Sequence, residues 1–419
     1  MTILDTVIVG GGQAGLGVSY FLHKNGYKHI VFEQGRIGES WLSQRWDSFQ
    51  LNTPNFMNAL PGFPYDGPES DGFWRTDELI HYFQQYVDHF QLPVKTGVRV
   101  VSVDRAENNE GFVVRTKAEG QAEESVLSRS VVIASGIQRT PKFPPLRFNL
   151  PTDILQLHAA DYHNPEGLPP GSVVIVGSGQ SGCQITEDLL SAGRTVYVCT
   201  SKVGRGPRRY RGRDLLDWWA EMKFFDVTYD SLEDKSISRA AQPQISGVGR
   251  YGHTVSLQNL AGQGAVILGR LLDVESDTLL LGDDAAENVH FADDFSQRVK
   301  EGVDDYLKSL KINPAPLEDD PADMPDLEAQ CISPLRELNL RESNISTVIW
   351  ATGFTGDFSW LNLPVFDEEN MLVHERGVSA ERGVYFVGFP WLNSRKSGII
   401  YGIKDDAGYI ADAIREQLA

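Results

Sequence analysis

Three cysteines in 419 residues (Cys183, Cys199 and Cys331) leave this chain without a CxxC pair. Odd in number and widely spaced, they exclude a disulfide framework and a dithiol redox centre. No apolar run approaches the roughly 18 residues that span a bilayer. Positive charge is scarce too. Against 57 Asp and Glu stand 38 Lys and Arg, a formal net charge of −19 that argues against nucleic acid or an anionic membrane surface as the main partner. The first residues, "MTILD", run straight into the strand-like "TVIVG" without a basic segment or cleavage site, so a cytoplasmic, reduced setting is expected. What is present is an ordinary globular composition, 41 % hydrophobic and 23 % charged, in a chain long enough for two domains.

The N-terminal stretch "DTVIVGGGQAGLGVSYFLHKNGYKHIVFEQG" carries a recognisable device. An apolar run, Thr6 to Val9, leads into Gly10, Gly12 and Gly15, spaced GxGxxG. A helical stretch follows with Ala14, Val18, Phe21 and Leu22 on one side, then a second apolar run, His29 to Phe32, ending at Glu33. The first glycine permits a tight turn, the second lets the backbone approach a pyrophosphate, and the third lets helix and strand pack closely. Glu33 is placed to accept hydrogen bonds from ribose hydroxyls. Strand, glycines, helix, strand and terminal acid together specify a dinucleotide site, here suited to FAD, with Gln13, Ala14 and Gln34 among its candidate contacts.

The device recurs as "SVVIVGSGQSGCQITEDLLSAGRTVYVCTSK", with Gly177, Gly179, Gln180, Ser181 and Gly182 after the strand Val173 to Val176. Glu33 has no counterpart here. The equivalent position is Thr200, followed by Ser201, Lys202 and Arg205. A hydroxyl beside cations suits a 2′-phosphate that a carboxylate would repel, so the second site is expected to take NADPH. These residues open the stretch "KVGRGPRRYRGR", six cations in an acidic chain. It either grips the 2′-phosphate or is a solvated basic loop that merely offsets neighbouring acids, with Arg208, Arg209, Arg211 and Arg213 facing substrate or solvent.

The expected fold class is α/β: two dinucleotide-binding Rossmann-like domains, the second inserted in the first. Boundaries fall at 1–165 for the FAD-binding part, 166–330 for the NADPH-binding domain with an extension, and 331–419 for the return through "STVIWATGF". Between the first unit and the helix "TDELIHYFQQYVDHF" lies an aromatic passage, "SWLSQRWDSFQLNTPNFMNALPGFPY", of the kind that packs over something large and flat. A period of two from "VKTGVRVVSVDR" to "SRSVVIASG" predicts a β-meander. The acidic "LEDDPADMPDLE" is expected to be a solvated loop. In the last helix Ile399, Ile403, Ala407, Ile410, Ile414 and Leu418 face the core, Ser397 is a candidate cap, and the positive helix end is placed to face a flavin.

On "VIVGGGQAG", "ESWLSQRWDSFQLNTP", "LQLHAADY", "VIVGSGQSG" and "VIWATGF" the chain resembles the class B flavin-containing monooxygenases, over nearly its whole length. "GRGPRRYRGRDLLDWW" and "GFPWLNSRKSGIIYGIKDDA" resemble a bacterial subgroup of flavoproteins related to them. The resemblance implies that Gly10, Gly12, Gly15 and Glu33 bind FAD and that Trp41, Arg45 and Trp46 lie beside the flavin. It implies that Asn52 is the catalytic residue near C4a, and that Gly136, Thr352 and Gly353 belong to the cofactor-binding crossings. His158 and Tyr162 match the core of the family fingerprint, with Thr152 and Ile154 departing from it. His158 is either structural or catalytic. The implied reaction is insertion of one oxygen atom into a small organic substrate by way of a C4a-(hydro)peroxyflavin, consuming NADPH and dioxygen. The alternative is an NADPH-dependent reductase passing electrons to a quinone or protein. A small-molecule substrate and dioxygen are the expected partners, with self-association as a homo-oligomer compatible and no metal expected. Asn393, Ser394, Arg395 and Lys396 either contact the cofactor rings or lie at the surface.

Overall fold

Strand β1 (Leu4–Val9) buries its last four residues, as its apolar run requires, and opens into the first glycine turn. The structure, a computed structural model, describes residues 3–107, 110–245, 247, 252–328, 330–369 and 371–419. Helix α1 (Gln13–Lys24) leads back to β2 (His29–Phe32), which pairs parallel with β1. Helix α2 (Thr76–Phe90) buries Leu79, Ile80, Tyr82, Phe83 and Tyr86 on one face, the helical spacing read from the sequence. Strand β3 (Val94–Lys95) adds to β2. The meander follows as β4 (Val98–Arg105), β5 (Phe112–Ala118) and β6 (Glu124–Ile133), antiparallel throughout, and the end of β6 turns parallel to β1.

A second, five-stranded parallel sheet holds β7 (Leu155–His158), β8 (Ser172–Val176), β9 (Val196–Cys199), β10 (Val266–Leu268) and β11 (Ile345–Trp350), in the order β10-β9-β8-β11-β7. Helix α3 (Gln180–Ser191) follows its glycine turn, and α4 (Ala285–Ser309) is its longest helix. The chain then returns to the first sheet through β12 (His374–Glu375), β13 (Val378–Ser379) and β14 (Val384–Phe386). Strand β14 pairs parallel with β6, giving nine strands in all. The closing helix α5 (Ile403–Leu418) lies on α1, where a Cβ on Gly17 would come 2.5 Å from Ile403 Cγ2. No helix among the described residues is long and apolar enough to cross a membrane.

The insertion of one α/β unit in the other is thus present, but its limits differ from 165 and 331. Strand β7 lies before the first expected boundary and β11 after the second, yet both belong to the second sheet. The crossings lie instead near 134–142 and 351–355, where the two chain segments pair with each other, Phe354 with Pro141 and Thr355 with Thr140. An apolar strand reads alike in sequence whichever sheet it joins; here β11 is held between β8 and β7. Ser397 is not a helix cap either. Its hydroxyl bonds the Asp406 carboxylate at 3.1 Å and takes the amides of Asn393 and Ser394, while α5 starts six residues later.

Candidate functional site

The two glycine turns are built alike. Gly10 and Gly177 hold φ of +113° and +110°, a left-handed region where a side chain is strained. A Cβ on Gly15 would overlap the carbonyl oxygen of Gly10, and one on Gly182 that of Gly177. Each turn is closed by a neighbouring strand of its own sheet: Ala134 behind Gly10, and Ala351 behind Gly177, where a Cβ would come 2.6 Å from the Ala351 oxygen. The segments Ala134-Ser135-Gly136 and Ala351-Thr352-Gly353 are therefore equivalent, one per unit. By contrast, Cβ atoms on Gly12, Gly136, Gly179 or Gly353 would meet nothing within 4 Å. Main chain is bare where a pyrophosphate would have to approach.

At the first turn Glu33 is 8 % exposed, and its two carboxylate oxygens accept the amides of Gly11 at 2.7 Å and Gly35 at 2.8 Å. This fixes the carboxylate at the mouth of a cavity of about 80 Å³, lined also by Gly10, Gln34, Arg99, Ser135, Arg139 and Trp360. The Ser135 hydroxyl is buried without a partner. A fixed acceptor, an unsatisfied hydroxyl and bare glycines fit the ribose and pyrophosphate of a dinucleotide. Gln13 reaches from the start of α1 to Trp41, whose indole N–H donates to it at 3.1 Å. Ala14, 5 % exposed, packs inside α1.

At the second turn the expected phosphate residues separate. Thr200 is 1 % exposed, donating to the Leu268 oxygen at 2.7 Å and accepting from Asn288 at 3.1 Å, so both roles of its hydroxyl are used. Arg205 is equally buried, bonded to Asp293 at 2.7 Å and to Asp323 at 2.5 Å. Neither is free to meet a phosphate from solvent. Ser201 is half-buried, its amide donating to Ser178 Oγ at 3.0 Å. Lys202 lies in solvent, 3.1 Å from Glu287. Gln180 accepts the amide of Ile245 at 3.0 Å, and Ser181 is half-buried at the start of α3.

The basic stretch does offset acids, with Arg205 and Arg208 doing so from the interior. Arg208 pairs with Asp214, Arg211 with Asp304 at 3.0 Å, and Arg213 with Asp217 at 2.6 Å. The acidic stretch expected to be solvated supplies several of the partners. Glu318 takes the amides of Arg211 and Gly212, Asp320 the Thr254 hydroxyl, and Asp323 both Arg205 and Lys300. Two charged runs more than a hundred residues apart form one joint.

Between the units lies the aromatic passage. Arg45 stacks over Trp41 at 5.0 Å and Phe49 at 5.3 Å, bonds the Gln44 carbonyl and the Gln138 side chain, and burial pushes its pKa down to about 10. Trp46 is 3 % exposed and sits with Tyr162, Cys183 and Ile185 in the core of the second unit, not on an open face. Asn52 lies in a turn braced by Asn58, whose amide donates to the carbonyls of Thr53 and Pro54, and by Arg208 from the other unit. His158 is engaged at both nitrogens. Nδ1 accepts the Ala160 amide at 3.1 Å, so Nε2 carries the proton and donates to the Gly353 oxygen at 2.9 Å; burial lowers its pKa. It is a structural histidine at a crossing. The Tyr162 hydroxyl donates to Asp188 at 2.6 Å, where Ser48 donates to the other oxygen.

Sequence reasoning does not reach Arg99, Arg139 and Trp360 at the first cavity; Ser135 also lines it, in the segment Ala134-Ser135-Gly136 that stands where Ala-Thr-Gly is common in the family the chain resembles. The first turn of α5 holds Asp405 and Asp406, which offset its positive end.

Residues 7–259 match the profile of the pyridine nucleotide-disulphide oxidoreductase family, and the chain belongs to that family. It is 28 % identical over 409 residues, 97 % of each chain, to a protein of Bacillus subtilis (strain 168) named uncharacterized oxidoreductase CzcO. A flavin-containing monooxygenase from Stenotrophomonas maltophilia has the same fold over the whole of both chains, at TM-score 0.65 and 18 % identity. So has an ornithine N-hydroxylase of Kutzneria sp. 744, solved with reduced FAD, NADP+ and L-ornithine, at TM-score 0.59 and 14 % identity over the whole of both chains. The protein is an enzyme, an oxidoreductase.

Proposed function

We propose that this member of the pyridine nucleotide-disulphide oxidoreductase family is an FAD-dependent, NADPH-consuming monooxygenase acting on a small organic molecule. One observation carries the reading: the same glycine cradle is built twice, with a fixed carboxylate, Glu33, at the ribose end of the first and Thr200 at the equivalent position of the second. Glu33 suits the ribose hydroxyls of FAD, and Ser201 with Lys202 suits the 2′-phosphate of NADPH. Bound FAD supplies hydride acceptance and oxygen activation; NADPH, dioxygen and a proton are consumed, one oxygen atom goes to the substrate and the other leaves as water.

The chain's own part is to bind, orient and keep water out. Bare glycine amides hold the pyrophosphates. The passage from Trp41 to Tyr65, with Trp46, Leu51, Met57 and Leu60 buried, seals the seam. Asn52 is the polar group of that passage proposed to act beside the flavin. The cysteines support oxygen chemistry over disulfide reduction: all three are free, and burial pushes the Cys199 thiol up to about 12 and the Cys183 thiol higher. Stopped-flow absorbance after mixing the reduced protein with oxygen tests the proposal. A transient band before the oxidised spectrum returns is expected. Direct reoxidation without it, with hydrogen peroxide matching the NADPH consumed, returns the reductase reading.

A further inference from the structure

Segment Trp391–Ser397 lies against residues 225–229 of the inserted unit. The Tyr229 amide donates to the Asn393 oxygen and the Arg395 amide to the Val227 oxygen, each at 2.9 Å. In this seam two adjacent cations are treated differently. Lys396 is paired twice at 2.6 Å, with Asp226 and Asp405. Arg395 has no carboxylate partner among the described residues. Its guanidinium lies 4.1 Å from the Phe224 ring and 4.8 Å from the Trp391 ring, its Nε is buried with no hydrogen-bond partner, and burial lowers its pKa. Acids are not in short supply in a chain of net charge −19.

The surroundings are apolar and aromatic. Phe224 stacks on Trp219 at 4.6 Å, and Phe225 meets Tyr401 at 5.7 Å, in a cluster that also contains Met57 from the first unit. Trp391 itself holds φ of +57°, a conformation a bulky side chain adopts only under constraint. A guanidinium half-buried in such a seam, its Nε shut off from water and no carboxylate beside it among the described residues, has lost part of its hydration, and an arriving carboxylate offsets that cost. With two rings against it, the guanidinium still offers the N–H groups of its own plane, the geometry a carboxylate matches.

We propose that Arg395 receives the carboxylate of the substrate, which is an organic acid with an apolar, flat or chain-like body that rests on the Phe224 and Trp391 side of the seam. This rests on the oxygenase reading only for calling the ligand a substrate. The test titrates the oxidised, flavin-loaded protein with phenylacetate and octanoate and with the amide of each, following flavin absorbance and tryptophan fluorescence. Each acid is expected to bind about tenfold or more tightly than its amide. Arg395→Met is expected to erase that difference, Arg395→Lys to restore part of it, and the NADP+ affinity to stay constant. Equal binding of acid and amide, absence of acid binding, or a Met variant that weakens NADP+ instead of the acids overturns the proposal. NADPH-dependent oxygen uptake is measured separately. In the unsubstituted protein, absence of acid binding with oxygen uptake intact counts against Arg395 alone, and acid binding without oxygen uptake counts against the oxygenase reading alone.

Discussion

The guanidinium of Arg208, in the inserted unit, donates to the main-chain oxygen of Asn52, in the first unit, at 2.9 Å. Arg208 is 2 % exposed, stacks over Phe73 at 4.7 Å and is neutralised by Asp214. A cation of the inserted unit is thereby plugged into the first unit at the turn that carries Asn52. Arg208→Met alone strands a buried carboxylate, so a loss of about 3–5 kcal/mol is expected. Arg208→Met with Asp214→Asn removes both charges and is expected to recover most of that stability. The double variant should still release a larger share of its NADPH equivalents as hydrogen peroxide. Thermal melts and the peroxide-to-NADPH ratio check this; an unchanged ratio in the double variant confines Arg208 to holding the fold.

Lys202 and Arg205 are neighbours in sequence with opposite fates, so their alanine variants should separate. Lys202→Ala removes an exposed pair worth at most about 1 kcal/mol, and should lower the kcat/KM preference for NADPH over NADH by about tenfold. Arg205→Ala leaves Asp293 and Asp323 without their buried counter-ion, and should cost about 3–5 kcal/mol of stability. Melting curves and the two-cofactor kinetic ratio check both.

Gly12→Ala and Gly179→Ala add a methyl into space that no protein atom occupies, at backbone angles any residue adopts. The fold should tolerate both. The first should weaken retention of FAD and the second affinity for NADPH, each by about tenfold or more. Flavin content after gel filtration and NADP+ titration of the holoenzyme check the pair.

Asp406 is 7 % exposed, one of its oxygens has no partner, and burial pushes its pKa up to about 6 despite the Ser397 bond. An acid whose folded pKa exceeds its unfolded value keeps its proton longer when folded. Stability therefore falls as pH rises from about 4 to 6, by on the order of 3 kcal/mol, and stays low above that window. Asp406→Asn should melt higher than the natural chain at pH 7.5, with the gap closing towards pH 4.5. Melts across that range check it.

How much of this was legible beforehand depends on whether the signal is local. The first βαβ unit, α2 and the second glycine turn were readable because their spacing and terminal residues are set by neighbours along the chain. The crossings were not. "STVIWATGF" shows that a strand exists, whereas its seat between β8 and β7 is decided by residues nearly two hundred positions earlier. The arginines show the same limit. Sequence displays the charge of Arg205 but not its burial, and its partners Asp293 and Asp323 lie about ninety and a hundred and twenty residues downstream. Ser397 looked like a cap from its position, and only the three-dimensional path brings it to Asp406.

The pairing of β6 with β14 joins Val131 to Val384. A ribosome working at roughly 5–20 residues per second delivers the second partner tens of seconds after the first. During that interval the last three residues of β6 present a bare edge and the α1 face awaiting Ile403 stays open, although by its close the inserted unit has been synthesised in full. Stalled or prematurely terminated chains would thus display an adhesive β-edge, and newly made protein would need shielding until its last few dozen residues emerge.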